Sequence, residues 1–471
     1  MRLILATYCL GIAMGCMALS NFAAAQSSAD EAMTVEASTT SAQTPTQRYD
    51  LEEVIERVLE ISPEVMVSQY SLEEAQAQYQ KARNASIAPE FTLNLSGGVV
   101  PDSPANIGPE FGFPDTGLFE TDDWGPFVRL TIELVQPIYT FGKIRSLQRA
   151  ATQKVEAGEQ EVRKTRNELI LQTKRAYYGL ANLYSFLDFI EDLGDRSAKA
   201  HGTIKQMIED GSSEVTDIDL MRLEIFQAET ERRRIELTHN IRFLKMTLKI
   251  LMGLERDIDF DIKDQKIRMS DAKIEDVEHY LRIAQQHRPE ILQLDNLVEG
   301  QEALMDGQRA EFLPDIGIAG QYRHNVAPGR QQINNPYLVN NDNIQAAGGA
   351  LFLRQKLNFH LTTPDYRKAK AAYEGAKAKR QEALRKMEIQ IRKSHNDAVA
   401  KQDAFAQSKL AFKKVRSYVL STTLNFGVGV TPPKDLVEAF VAYTQVRSEY
   451  LKTMYDFQIA HATLAYAIGK Y

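Results

Sequence analysis

A mainly α fold with a transmembrane β-component, duplicated internally, is what this sequence predicts. Three observations predict it. Proline is absent between Pro137 and Pro289, and again between Pro364 and Pro432. An interior proline costs a helix about 3 kcal/mol, so both reaches can hold very long helices. Four segments alternate apolar and polar residues, the period of a strand with two unlike faces. The second half of the chain then repeats the order of the first.

Residues 1–25 read as an export signal. Arg2 supplies the positive end, Leu3 to Leu19 is largely apolar, and Ala23-Ala24-Ala25 before Gln26 is a small-residue cleavage site. In a rival reading the chain is cut before Cys16 and a lipid is attached there, but Ala13-Met14-Gly15 is a poor match to the Leu-rich lipoprotein site. Cys9 and Cys16 are the only cysteines, so ordinary cleavage leaves no disulfide. Residues 26–48 are polar, aperiodic and rich in Ala, Ser and Thr, a flexible lead-in. Beyond the signal no run of about 18 apolar residues follows. Such an exported chain is free in the periplasm, secreted, or inserted as β-structure.

Repeat one spans residues 49–275. Ser62-Pro63-Glu64 starts a helix with proline at its first position. Strands follow at about 90–97 and 126–137, long helices at about 143–210 and 214–253, and a connecting segment at 255–275. Val155, Val162, Leu169, Ala176, Leu183 and Ile190 recur every seventh residue, and Ile241, Leu244, Leu248 and Leu251 follow coiled-coil spacing. The first long helix would measure ~100 Å at ~1.5 Å per residue, a rod rather than a globular core. Repeat two spans 276–471. Arg288-Pro289-Glu290 opens it, strands lie at about 315–323 and 349–359, and long helices at about 365–425 and 432–468. Gly211 aligns with Gly427 and Gly253 with Gly469, each pair 216 residues apart.

The strands carry the membrane expectation. Phe91, Leu93 and Leu95 oppose Thr92, Asn94 and Ser96; Val128, Leu130, Ile132 and Leu134 oppose Arg129, Thr131 and Glu133. In repeat two Ile316, Ile318 and Tyr322 share a face. Leu351, Leu353, Leu357 and Phe359 lie opposite Arg354 and Lys356. This pattern suits a barrel with an apolar outside and a wet inside, and equally a half-buried soluble sheet. Loops rich in Pro, Gly and Asn, at about 97–125 and 323–348, join each pair, with Trp124 and His324 read as loop packing. Four strands cannot close a barrel, for which about eight is the minimum, so the barrel reading requires oligomerisation.

Order and spacing together resemble the TolC-like outer-membrane factor family, the outer membrane efflux proteins, over about residues 49–469. The resemblance rests on the duplicated order, on "PEFTLNLSGG" and "LPDIGIAGQYR", on "ELVQPIYTFGKIRS", "HRPEI" and "GVGVTPPKDLVEA". It implies a homotrimer with a twelve-stranded β-barrel in the outer membrane, continued by a coiled-coil α-helical barrel in the periplasm. It further implies a periplasmic adaptor and an inner-membrane transporter as partners, in drug efflux or protein secretion. "RDIDFDIKDQ", at 256–265, resembles the family's equatorial segment. Its residues alone read as an edge strand with an acidic face, since a calcium loop needs a turn glycine and terminal glutamate that are missing.

Both long-helix pairs break at a turn. Gly211-Ser212-Ser213 precedes Val215-Thr216-Asp217; in the second, Gly427 and Gly429 permit reversal, Thr431 suits an N-cap and Pro432 the first helical position. Asp435 and Glu438 share a helix face. Acids there favour the macrodipole by roughly 0.3–1 kcal/mol each, and in a trimer they would form a cation-favouring ring of six. The resemblance implies Asp435, Glu438 and Asp217 as pore or gate residues, and matches Phe426 to an aromatic tip position. The family arginine that pairs with the Asp217 position is Thr431 here, which puts that ion pair in doubt. The turns, Gly211 to Thr216 and Phe426 to Pro433, are the expected adaptor contacts: Gly211, Ser212, Ser213, Val215, Thr216, Phe426, Gly427, Gly429, Thr431, Pro432 and Pro433.

A formal charge of −7 leaves no basic footprint for nucleic acid. The sequence holds no Gly-x-Ser-x-Gly elbow, His-Glu-x-x-His or phosphate loop, and its eight histidines lack ligand spacing. No enzyme, metal or cofactor is therefore expected. The function expected is a passive export duct; the alternative is a periplasmic coiled-coil scaffold without a membrane barrel.

Overall fold

Local signals start the short helices in this computed structural model, which describes residues 47–101, 124–211, 215–255, 257–266, 274–328 and 341–471. The export signal, Cys16, most of the lead-in and of both long loops, Ser212 and Ser213 lie outside those residues. β1 (Gln47–Tyr49) leads into α1 (Leu51–Ile61). The Asp50 carboxylate accepts the Glu53 N–H at 3.0 Å, and Glu53 accepts the Asp50 N–H at 2.8 Å. That reciprocal pair satisfies two orphan donors of the helix start. Proline at the first position begins α2 (Pro63–Ile87).

β2 (Glu90–Pro101) and β3 (Trp124–Tyr139) come next, then the first rod, α3 (Lys143–Glu209), and α4 (Asp217–Leu251). β4 (Phe260–Ile262) pairs in parallel with β1. The second half begins with α5 (Val277–His287) and α6 (Pro289–Ala310), followed by β5 (Asp315–Val326), β6 (Ile344–Arg354), α7 (Phe359–Gly427) and α8 (Pro433–Ala467). With 67 and 69 residues, α3 and α7 are each ~100 Å long at ~1.5 Å per residue. α4 and α8 have 35 residues each.

Several boundaries differ from the alternation pattern: β2 runs to Pro101, β3 begins at Trp124 and β5 runs to Val326, so Trp124 and His324, read as loop packing, are strand residues held by ladder pairing. β6 begins five residues before 349 and stops at Arg354, so Leu357 and Phe359 do not extend its apolar side. Phe359 stacks instead on Phe312, ring centroids 6.2 Å apart. Small residues at Ala346 to Ala350 hide that part of the strand from any polarity contrast, and only its ladder to β5 reveals it. α7 also starts ahead of Pro364. A proline so close to the helix start leaves only the His360 carbonyl without its intrahelical donor.

β2, β3, β5 and β6 form one antiparallel sheet in that order. Its register sorts the faces. Leu93, Ile132, Tyr322 and Ala347 make one cross-strand row; Asn94, Thr131, Arg323 and Ala346 make the next, on the opposite side. The apolar side is bare: Phe91 is 66% exposed, Leu93 64%, Leu95 67% and Leu351 75%. No helix of the described residues is long and apolar enough to cross a membrane.

The helices bury their own cores. One joins Val54, Val58, Tyr177, Leu180, Leu248 and Met252 to Phe260 and Ile262 of the small sheet. Another gathers Leu281, Ile291, Met387, Ile391 and Leu464. Gly253 and Gly469 terminate α4 and α8 with positive φ, 59° and 72°. Each packs against the break between the two short helices of its own half. A Cβ on Gly253 would lie 2.8 Å from the Ile61 side chain, and one on Gly469 2.8 Å from the His287 carbonyl oxygen.

Gly469→Ala is expected to destabilise more than Gly253→Ala, because a backbone carbonyl yields less than a side chain. Left-handed strain alone costs each about 1–2 kcal/mol. Ile61→Ala should relieve part of the Gly253→Ala defect in thermal unfolding, and no side-chain truncation should rescue Gly469→Ala.

Lys263 Nζ donates to Asp50 at 3.2 Å and to Glu53 at 2.6 Å. The Glu53 N–H and then Lys263 hold Asp50 below its ordinary pKa; Lys263 and then the Asp50 N–H do so for Glu53. Depressed carboxylates stabilise the fold above their ordinary pKa of about 4, and that stability is lost as pH falls through the depressed values. Amide protection factors in β1 and the start of α1 should therefore fall as pH drops below the ordinary carboxylate pKa of about 4, and Lys263→Met should flatten that response.

Candidate functional site

The two helix turns are built by different chemistry. At the first, Gly211 takes φ 76° and its N–H donates to the Ile208 carbonyl at 3.1 Å. Val215 is buried. Thr216 sits at the N-cap of α4, and its N–H and hydroxyl both donate to the Asp219 carboxylate, at 3.2 and 2.8 Å. Asp217, the first helical residue, is exposed.

At the second turn the Gly429 N–H donates to Phe426 O at 3.0 Å, and the Val430 N–H reaches back to Asn425 O at 2.9 Å. This closure needs a left-handed residue, and Gly429 supplies it with φ 77°. Gly427 is instead the last residue of α7. By conformation Gly211 matches Gly429 rather than Gly427, which accounts for the two additional residues of α7. The cap also shifts by one position. Pro432, extended at φ −68° and ψ 153°, is the N-cap, and buried Pro433 is the first helical residue. A residue preceding proline is pushed out of the α region, so Pro433 fixes Pro432 outside the helix. Thr431 lies before the cap, its N–H donating to Asn425 O at 3.3 Å.

Asp435 and Glu438 are both exposed on the first turns of α8. Lys434 Nζ lies 3.8 Å from Glu438, which partly offsets that carboxylate and leaves Asp435 as the clearer negative charge. Phe426 is only 5% exposed, within a cluster that includes Leu193, Ile204, Leu436 and Phe440. Phe226 of α4 stacks on Phe440 of α8 at 5.8 Å. Through this cluster both turns share one core, and Phe426 contributes to it rather than to the surface. The exposed side chains are Val428 at 74% and Val430 at 73%. The alternation of glycine and valine in "FGVGV", which sets Val428 between the glycines and Val430 directly after Gly429, was the available signal. Among the described residues no group of three His, Cys, Asp or Glu side chains is placed to hold a metal.

Residues 54–236 match the family model of the outer membrane efflux proteins. Among curated proteins no sequence matches the chain. Three solved structures share this chain's fold over most of its length. The CmeC outer membrane channel of Campylobacter jejuni is 18% identical, with 89% of this chain and 85% of that one covered and a TM-score of 0.69. The open state of the Neisseria gonorrhoeae MtrE outer membrane channel is 15% identical, covering 89% and 88%, TM-score 0.69. The outer membrane protein VceC of Vibrio cholerae is 18% identical, covering 89% and 96%, TM-score 0.68. At these identities the likeness is one of fold.

Phe426→Ala should remove about 3–5 kcal/mol, the usual range for a buried phenylalanine. Hydrogen exchange should then rise at both turns, because they share the core that Phe426 fills. A rise confined to the second turn would contradict a shared core.

Proposed function

We propose that three copies of the chain form a passive channel, with a twelve-stranded barrel in an outer membrane and a helical tube crossing the periplasm. One observation carries this reading: a sheet with a bare apolar face, a polar face behind it, and two open edges. Neighbouring strands alternate in direction from β2 to β6, so β6 of one copy can pair antiparallel with β2 of the next. Three copies supply twelve strands, above the minimum for closure. The apolar side then faces lipid and the polar row lines the passage. A soluble scaffold would leave the same face in water, where large apolar patches promote association.

The helical turns lie at the far ends of ~100 Å rods, in reach of an inner-membrane transporter and its periplasmic adaptor. Their exposed residues, among them Gly211, Thr216, Gly427, Val428 and Val430, suit adaptor contact. The channels similar in fold and the matching family support export, whether of small efflux substrates or of polypeptides. Asp435, Glu438 and Asp217 are the proposed pore residues. With Thr431 in the place of the family arginine, closure of the tip rests on contacts other than an ion pair with Asp217.

Fractionation tests the assembly: the protein should need detergent for extraction and run as a heat-sensitive trimer, and a soluble monomer would overturn the reading. In planar bilayers, Asp435→Asn with Glu438→Gln should lower cation preference by roughly two- to threefold, as loss of a fixed charge ring implies. Glu438→Gln alone should do less, given Lys434. Unchanged selectivity in the double variant would remove the carboxylates from the pore.

A further inference from the structure

A cavity of about 430 Å³ opens on the polar face of the sheet; its wall includes Arg129 and Thr131 of β3 and Arg323 and Asn325 of β5, together with one carboxylate, Glu133. The register sets Arg129 opposite Asn325 and Thr131 opposite Arg323. The two arginines therefore occupy a cross-strand diagonal, roughly 7–8 Å between backbones and within reach of long side chains. Among the described residues neither guanidinium makes an ion pair shorter than 3.9 Å. Arg129 reaches Asp342 only at 3.9 Å. Arg323 donates to Gln321 at 3.0 Å, and Gln321, not Arg323, donates to Glu133 at 3.0 Å. Beside them Asn325 is 5% exposed; its Nδ2 donates to Asn341 O at 2.6 Å, while its Oδ1 accepts no hydrogen bond among the described residues. Buried acceptors are rarely left so.

We propose that this cavity is a binding station for organic anions that carry a carboxylate or phosphate next to a hydroxyl. Guanidinium forks match the oxyanion, and the hydroxyl supplies the donor that Asn325 Oδ1 lacks. The inference rests on the channel reading, in which this face lines the passage. It gives that passage a cationic station in the barrel, opposite in sign to the carboxylates of the helical turns.

Citrate is a suitable probe, because it joins three carboxylates to one hydroxyl; tricarballylate has the same carboxylates without it. The full-length trimer is reconstituted in planar bilayers and citrate is added on the barrel side. Citrate should block the current, and Arg129→Gln with Arg323→Gln should raise the half-blocking concentration about tenfold or more, as loss of charge-assisted contacts implies. Tricarballylate should block more weakly than citrate, and Asn325→Leu should abolish that difference. Should the double variant not assemble as a trimer, Arg323→Gln alone is read by the same criterion. A conducting channel whose citrate block is unchanged by these substitutions overturns the station and leaves the channel reading intact. A reconstituted protein that conducts no current overturns both.

Discussion

Unpaired backbone at the edges of β2 and β6, beside an apolar face, is the constraint on which the rest of this architecture depends. Within hydrocarbon each unsatisfied N–H or C=O costs several kcal/mol, so only a closed ring of strands is stable there. The described residues of one chain give this sheet four strands, too few to close. Alternating strand direction makes the two edges complementary to each other, and the same feature gives the rows of Leu93 and Asn94 their opposite environments. The long helices grow from the base of this sheet, α3 from the end of β3 and α7 from the end of β6. Any closure of the sheet therefore brings the rods of the participating copies together.

The internal duplication is kept where packing demands it and relaxed where it does not. Gly253 and Gly469 both close their long helix against a neighbouring break, and contact with the Ile61 side chain or the His287 carbonyl leaves no room for a larger residue. The helices leading to these glycines have identical lengths. At the other end nothing among the described residues lies within 4 Å of a Cβ built at Gly211 or Gly429, and their left-handed φ is what the turns require. There α3 and α7 differ by two residues, and the two turns diverge in chemistry. One buries Val215 and caps with Thr216 and Asp219; the other exposes Val428 and Val430 and stops on a proline pair. That difference gives the two turns distinct surfaces.

Charge is arranged along the chain at sites with different degrees of compensation. Lys263 ties Asp50 to Glu53 where the small sheet meets α1, which makes that junction sensitive to acid. Lys434 shares the first turns of α8 with Asp435 and Glu438. On the sheet, Gln321 stands between Arg323 and Glu133. A neutral amide in that position keeps the guanidinium from collapsing onto the carboxylate, and so preserves a positive surface in a row that also contains an acid.

Much of this was legible in the residues alone. Proline gaps and heptad spacing fix the rods, because interior proline and a broken apolar seam are each costly to a helix. Strict alternation gives Phe91, Leu93 and Leu95 one face, since side chains in a strand alternate regardless of what packs on them. Other features follow from contacts between residues distant in sequence, which no local pattern encodes. Phe426 reads as a surface aromatic until α8 folds Phe440 back toward it. Ala346 to Ala350 carry no polarity signal until β5 pairs with them. The cap at Pro432 depends on a steric clash with its neighbour that outweighs the preference of Thr431 for that position. Arg129 and Arg323 lie almost two hundred residues apart, and only the register between β3 and β5 sets them side by side.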